Sequence, residues 1–116
     1  MRYWLLKTEP EEWSWDQQVK SGNKGEEWSG VRNFQASKNL KNMKINDRCF
    51  FYHTGNIKSI VGVAKVIKEA FLDKSDKSRK FVSVRIKSLY PLKQLVSLNQ
   101  IKYIKCSNNH LILLTV

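Results

Sequence analysis

Cysteine is scarce in this chain. The two present, Cys49 and Cys106, lie far apart without CxxC spacing, which excludes a disulfide framework. Cys49 falls in an apolar run, where a buried thiol is expected. No apolar stretch is long enough to span a bilayer. The first residues carry a polar side chain every few positions, so no secretory-type apolar core is visible. No membrane partner is therefore expected, and a reducing, cytoplasmic setting is the default. Internal repeats and low-complexity segments are missing too. Metal ligands are few: Cys49 and His53 stand four apart on an expected strand, roughly 13 Å at about 3.3 Å per residue, too far to share an ion. With His110 in a loop, no ligand cluster remains, and no metal or cofactor is expected. No side chain carries the signature of an activated nucleophile, and Ser29 shows no partner that would activate it.

Acidic residues are also in short supply. The 116 residues hold 21 Lys and Arg against 10 Asp and Glu, for a net charge of +11. Residues 1–64 carry 10 basic and 7 acidic side chains, whereas residues 65–116 carry 11 and 3. The length fits one compact domain, 1–116, with a single core. A basic half on a folded domain is the electrostatic footprint of a nucleic-acid binder. A positive surface that only maintains solubility is the plainer alternative.

What is present reads as short elements. Tyr3-Trp4-Leu5-Leu6 suits a buried strand, closed by Pro10. Ser14-Trp15-Asp16-Gln17 has the form of a capping box, predicting a short helix over 15–20. Residues 21–27 are expected to be a flexible polar loop. Ala36, Leu40 and Met43 form the stripe of an amphipathic helix, with Lys38, Lys41 and Lys44 facing water. Residues 47–54 read as a buried strand, followed by a Gly55-Asn56 turn. Residues 59–70 read as a long strand whose Gly62 marks a bulge or a close backbone approach. A charged loop is expected over 73–80. Val82, Val84 and Ile86 then alternate with Ser83, Arg85 and Lys87, giving one core face and one exposed basic strip, closed by Pro91. A second capping box at Ser97–Gln100 predicts a helix over 98–104, and Leu111–Leu114 a final strand. The class is α+β: a mainly antiparallel sheet curling toward a barrel, with short flanking helices.

The densest stretch is Trp28-Ser29-Gly30-Val31-Arg32-Asn33-Phe34-Gln35-Ala36. Gly30 permits positive φ or close approach to a ligand. Asn33 can cap the helix that follows, whose first N–H groups are free donors. An aromatic wall, a glycine turn and donors aimed one way would make a small-ligand cradle. An ordinary loop-to-helix junction with a half-buried Trp is the alternative.

That stretch, together with Tyr3–Pro10, Phe50-Phe51-Tyr52-His53 and Gly62-Val63-Ala64, closely resembles the EVE domain, a thymocyte nuclear protein-like family of the PUA-like superfamily with bacterial members. The resemblance runs in order from residue 1 to about residue 105. It implies a PUA-like curled β-barrel with flanking helices and a non-enzymatic reader of a modified nucleobase in DNA or RNA, a modified cytosine or a similar base. In bacteria such domains are associated with modification-dependent restriction and tRNA-linked functions. Carried onto this sequence, the resemblance implies a base pocket with Trp28 as a wall. Gly30 belongs to it; Val31, Arg32 and Asn33 line it, and Gln35 is close by. Lys7 and Glu9 sit at a strand end beside it, and Tyr52 and His53 come from a facing strand. Three positions depart from the family pattern: Ser29 replaces an acid, Phe34 a Tyr and Phe81 a Trp. The family's usual strand and helix after Leu111–Leu114 are not in this sequence: either this is a truncated product, or an edge strand is exposed, which invites a homodimer through it.

Two other readings compete. His53 and Glu9 could form an acid–base pair, as in a small ASCH-like amidohydrolase acting on a modified nucleoside. Alternatively, Arg85, Lys87 and Lys93 contact phosphates in a module that binds nucleic-acid backbone without selecting a base.

Overall fold

The computed structural model of the chain describes residues 3–96. The helix expected over 98–104 and the strand expected at 111–114 lie outside them. Five strands form one sheet: β1 (Tyr3–Thr8), β2 (Glu26–Trp28), β3 (Arg48–His53), β4 (Ser59–Leu72) and β5 (Val82–Val96). Their order is β1-β3-β4-β5-β2. Only β1 and β3 run parallel; the other neighbours are antiparallel. Among the described residues β1 and β2 are the two edges, so the sheet is α+β and mostly antiparallel but is not closed into a barrel.

The core lies on one face of the sheet. Trp4 and Leu6 from β1, Cys49 and Phe51 from β3, Ala64 and Val66 from β4, and Val82, Val84 and Ile86 from β5 meet Trp15, Leu40 and Met43 from the helical layer. Each fully buried large side chain of this kind contributes about 1.5–3 kcal/mol. A smaller cluster of Leu5, Tyr52 and Ile60 forms on the opposite face. The Trp4 indole donates to Asp47 at 3.0 Å, so its polar edge is satisfied inside the core.

Helix α1 (Trp15–Lys20) starts where the capping box predicts. Ser14 Oγ accepts from the Gln17 backbone N–H, and the Gln17 side chain accepts from Ser14 N–H. Helix α2 (Phe34–Asn42) begins two residues before the apolar stripe, because Asn33 caps it by accepting from Ala36 N–H at 3.0 Å. Leu40 and Met43 are buried, while Lys38, Lys41 and Lys44 face water. Gly62 is a close approach: a Cβ there would run into the Trp15 indole. That indole in turn meets Phe51 edge-on, ring centroids 5.3 Å apart.

Three expectations about segments need correction. Residues 21–27 are not a free loop: Gly22–Lys24 form a 3-10 turn, and Glu26–Trp28 become edge strand β2 against β5. The polar composition hid a three-residue strand. Strand β5 does not stop at Pro91 but continues to Val96. Proline is tolerated there because β2 pairs with Val84–Ile86 and, among the described residues, position 91 has a neighbour on the β4 side alone. The outer face of β5 is not an exposed basic strip either. Ser83 is fully buried and Arg85 and Lys87 are half-buried; Arg85 is drawn down onto Glu27 and the carbonyls of Lys24 and Gly25.

Candidate functional site

A hollow of about 430 Å³ opens between β2, the end of β1 and the turn before α1, lined by Lys7, Thr8, Glu12, Trp13, Glu26, Glu27, Trp28, Ser29, Gly30 and Val31. This volume is within the range of small-ligand pockets. Its walls come from defined local structure. On β2, Glu26 pairs with Ile86 and Trp28 with Val84. Residues two apart on a strand share a face, so the Glu26 carboxylate and the Trp28 indole project to the same side. Trp28 is half-buried and leans edge-on against Phe51, ring centroids 5.8 Å apart at 84°. Trp13 lines the hollow as well. Its backbone N–H donates to the Glu9 carbonyl, its carbonyl accepts from Thr8 Oγ1, and its indole N–H donates to Gln18 Oε1 at 2.8 Å. Gln18 is fully buried and donates onward to the Ile86 carbonyl, which fixes the indole through the sheet itself.

The rim at residues 29–32 is held by one acid. Gly30 adopts φ +81°, the left-handed region that favours glycine. Its N–H donates to Asp73 Oδ2 at 2.9 Å, and Arg32 Nη1 donates to the same oxygen at 3.1 Å. Ser75 N–H and Oγ donate to Oδ1 at 2.8 and 2.6 Å. Burial pushes the Asp73 carboxyl up, but the donors of Ser75, Gly30 and Arg32 outweigh it and hold it at about 2.

The structure brings together only some of the residues expected to share the site. Trp28, Gly30, Val31 and Lys7 border the hollow. Arg32 turns away from it, toward Asp73, Ser75 and the Phe81 ring. Asn33 spends its amide oxygen on the α2 cap, and Gln35 is exposed and bonds along the helix to Asn39 at 3.4 Å. The Gly30 N–H is taken by Asp73, so the expected donors aimed into a cradle are largely engaged elsewhere. The Glu9 side chain is exposed; only its carbonyl serves the site, by bracing the turn that carries Trp13.

Tyr52 belongs to the small cluster on the far face, where the Lys7 ammonium lies 5.8 Å from its ring centroid. His53 is 4% exposed and accepts from Trp15 N–H through Nε2 at 3.2 Å. Burial pushes its pKa down. Its Nδ1 is buried with no hydrogen-bond partner among the described residues. His53 therefore props α1 instead of lining the hollow, and no hydrogen bond or ion pair joins it to Glu9 among the described residues. Arg85 is not free for phosphate: it donates to Glu27 Oε1 and to the carbonyls of Lys24 and Gly25, each at 3.2 Å. Lys87 is half-buried, and Lys93 lies on β5 beyond the stretch that pairs with β2.

Sequence reasoning missed Trp13, Glu12, Glu26 and Asp73. The alternation Glu26-x-Trp28 was the available signal for a strand face, masked by the glycines on its N-terminal side. The hollow carries three carboxylates: Glu12; Glu26, whose Oε1 accepts from Glu27 N–H at 2.9 Å and whose Oε2 is left to accept from a ligand; and Glu27, shared with Arg85. Two indole walls and carboxylate acceptors suit a flat aromatic ligand that carries N–H donors.

Comparison with known proteins agrees with this architecture. A Rhodopseudomonas palustris protein solved by NMR is 50% identical, with TM-score 0.81 over 89% of this chain and 71% of its own. A crystal structure of human THYN1 protein in complex with 5-methylcytosine-containing DNA is 27% identical, with TM-score 0.73 over 92% of this chain and 77% of its own. Chicken (Gallus gallus) thymocyte nuclear protein 1 is 40% identical over 82 residues, 61% of this chain; the match spans only 34% of that relative's length. Residues 2–114 match the EVE domain, and the chain belongs to the EVE domain family.

Proposed function

We propose that this domain is a non-enzymatic nucleic-acid-binding module that accepts a modified nucleobase, a modified cytosine first, between Trp13 and Trp28. The observation that carries the reading is the hollow itself, with two indoles and the Glu26 carboxylate around about 430 Å³. Taking a base out of its stack costs a few kcal/mol, and contact with an indole face returns roughly 1–3 kcal/mol. A carboxylate accepts from the exocyclic amine of cytosine, whereas a keto group at that position would face it acceptor to acceptor. Glu26 thus favours cytosine or adenine over thymine or uracil. The human relative in complex with 5-methylcytosine-containing DNA supports the same class of ligand. His53 stays with Trp15, so it is not placed for acid–base chemistry on a bound base, which favours reading over turnover.

A methyl group adds only about 0.8 kcal/mol of apolar burial, equivalent to about a fourfold preference. Short oligonucleotides carrying cytosine, 5-methylcytosine, its oxidised forms or N6-methyladenine, titrated at one salt concentration, test the reading. The expected result is a preference of about fourfold or more for one modified base, lost in Trp28→Ala while a salt-dependent background persists. Equal affinity across the panel would leave a module that binds backbone alone.

A further inference from the structure

Beside the hollow, the loop over residues 73–81 turns its acids inward and its cations outward. Asp76 accepts from Ser78 N–H and Oγ, Lys80 N–H and Phe81 N–H, all between 2.6 and 2.9 Å. Asp73 is consumed in the same way by Gly30, Arg32 and Ser75. Lys74, Lys77, Arg79 and Lys80 are all exposed, and none makes a side-chain hydrogen bond or ion pair among the described residues. The loop ends at Phe81, one half of an aromatic pair. Phe34 stacks on Phe81 with ring centroids 5.0 Å apart and planes 28° apart, and the Arg32 guanidinium lies 5.5 Å from the Phe81 centroid. Phe81 is buried beneath them, but Phe34 remains 68% exposed. Phe34 is thus a mostly exposed aromatic held flat on a partner ring, and that partner ends a loop whose four cations have no acidic partner among the described residues.

We infer that this face binds the unpaired nucleotides flanking the one whose base occupies the hollow: a neighbouring base stacks on Phe34 and phosphates lie along Lys74, Lys77, Arg79 and Lys80. The chemistry matches, because a single strand offers planar rings and anions in alternation. The position matches as well. Val31 borders the hollow, and Phe34 follows three residues later, at most about 11 Å along the chain. Arg32 and Asp73 tie the two surfaces into one rim. The inference rests on the base-reading proposal above for its register.

Fluorescence anisotropy with a short single-stranded oligonucleotide carrying one central 5-methylcytosine tests it, with free 5-methyl-2′-deoxycytidine measured in parallel. Phe34→Ala is expected to weaken oligonucleotide binding roughly tenfold and leave nucleoside binding unchanged, and Phe34→Trp is expected to restore the oligonucleotide. Replacing Lys74, Lys77, Arg79 and Lys80 with Gln is expected to flatten the salt dependence by about 0.7 in log–log slope for each phosphate contact removed. Equal oligonucleotide affinity for wild type and Phe34→Ala would overturn the inference. So would a parallel loss of nucleoside, or a loss of self-association in sedimentation without any change in oligonucleotide binding. Failure of the pocket reading is seen separately, as equal affinity of the wild-type protein for methylated and unmethylated strands; a loss at Phe34 would still support the stacking face.

Discussion

Replacing Asp73 with Asn tests whether one buried carboxylate holds the rim of the hollow. Asp73 is 3% exposed and accepts from Gly30, Arg32 and both donors of Ser75. Its carboxyl sits at about 2 instead of the ordinary 3.8. At about 1.4 kcal/mol for each tenfold change, the charged form contributes about 2–3 kcal/mol to folding. The sign follows from linkage. The folded value is the lower one, so the contribution is complete above about pH 4 and is lost as pH falls through 4 toward 2. Asn keeps the shape but places an N–H₂ among donors and carries no charge. Asp73→Asn is therefore expected to unfold with about 2–3 kcal/mol less stability at pH 7, a midpoint lower by about 10 °C. Arg32→Ala should cost only about 0.5 kcal/mol, because that guanidinium is 42% exposed and its ion pair is partly screened. Urea titration followed by far-UV circular dichroism at pH 7 and between pH 2 and 5 reads both effects. Because Asp76 also titrates near 2, the acid limb is taken as the difference between wild type and variant. An Asp73→Asn protein within about 0.5 kcal/mol of wild type at pH 7, with an unchanged acid limb, would refute the role of Asp73 as the clamp.

Two further outcomes follow from the packing. Gly62→Ala drives a methyl into the Trp15 indole and is expected to destabilise by about 1–3 kcal/mol, read by urea titration, with Trp13 displaced as α1 shifts. His53 has a lowered pKa when folded, so the unfolded chain takes up its proton first as pH falls below about 6.5. Stability should decline from that point until the folded-state value is passed. His53→Gln, which keeps an acceptor for Trp15 N–H, should remove that slope in thermal melts between pH 7 and 5.

Local rules made much of the fold legible. Ser14 and Gln17 mark the start of α1, Asn33 marks the start of α2, and Val82, Val84 and Ile86 name the buried face of β5. These signals are contained within a few residues. The misreadings concern partners distant in the chain. Arg85 looked free because β2 was not recognised as a strand, and Glu27 lies 58 residues away. Asp73 looked like one more loop charge because its donors, Gly30 and Arg32, lie 43 and 41 residues before it. At the site, Trp28, Gly30, Val31 and Lys7 were legible as a cluster. Trp13 was not, because its orientation depends on a buried amide, Gln18, anchored to the Ile86 carbonyl across the sheet. Asn33 and His53 carry side chains suited to base recognition, yet local structure claims both: a helix cap for one and the α1 backbone for the other.

The central claim is that a modified base lies against the Trp28 indole. It is tested most directly by two-dimensional NMR of the ¹⁵N-labelled protein during titration with an oligonucleotide carrying 5-methylcytosine, the Trp28 indole N–H being assigned from Trp28→Phe. The account predicts the largest shifts at the Trp28 and Trp13 indoles and at the Gly30 and Val31 amides. Shifts confined to the basic loop and β5, with both indole signals unmoved, would contradict it.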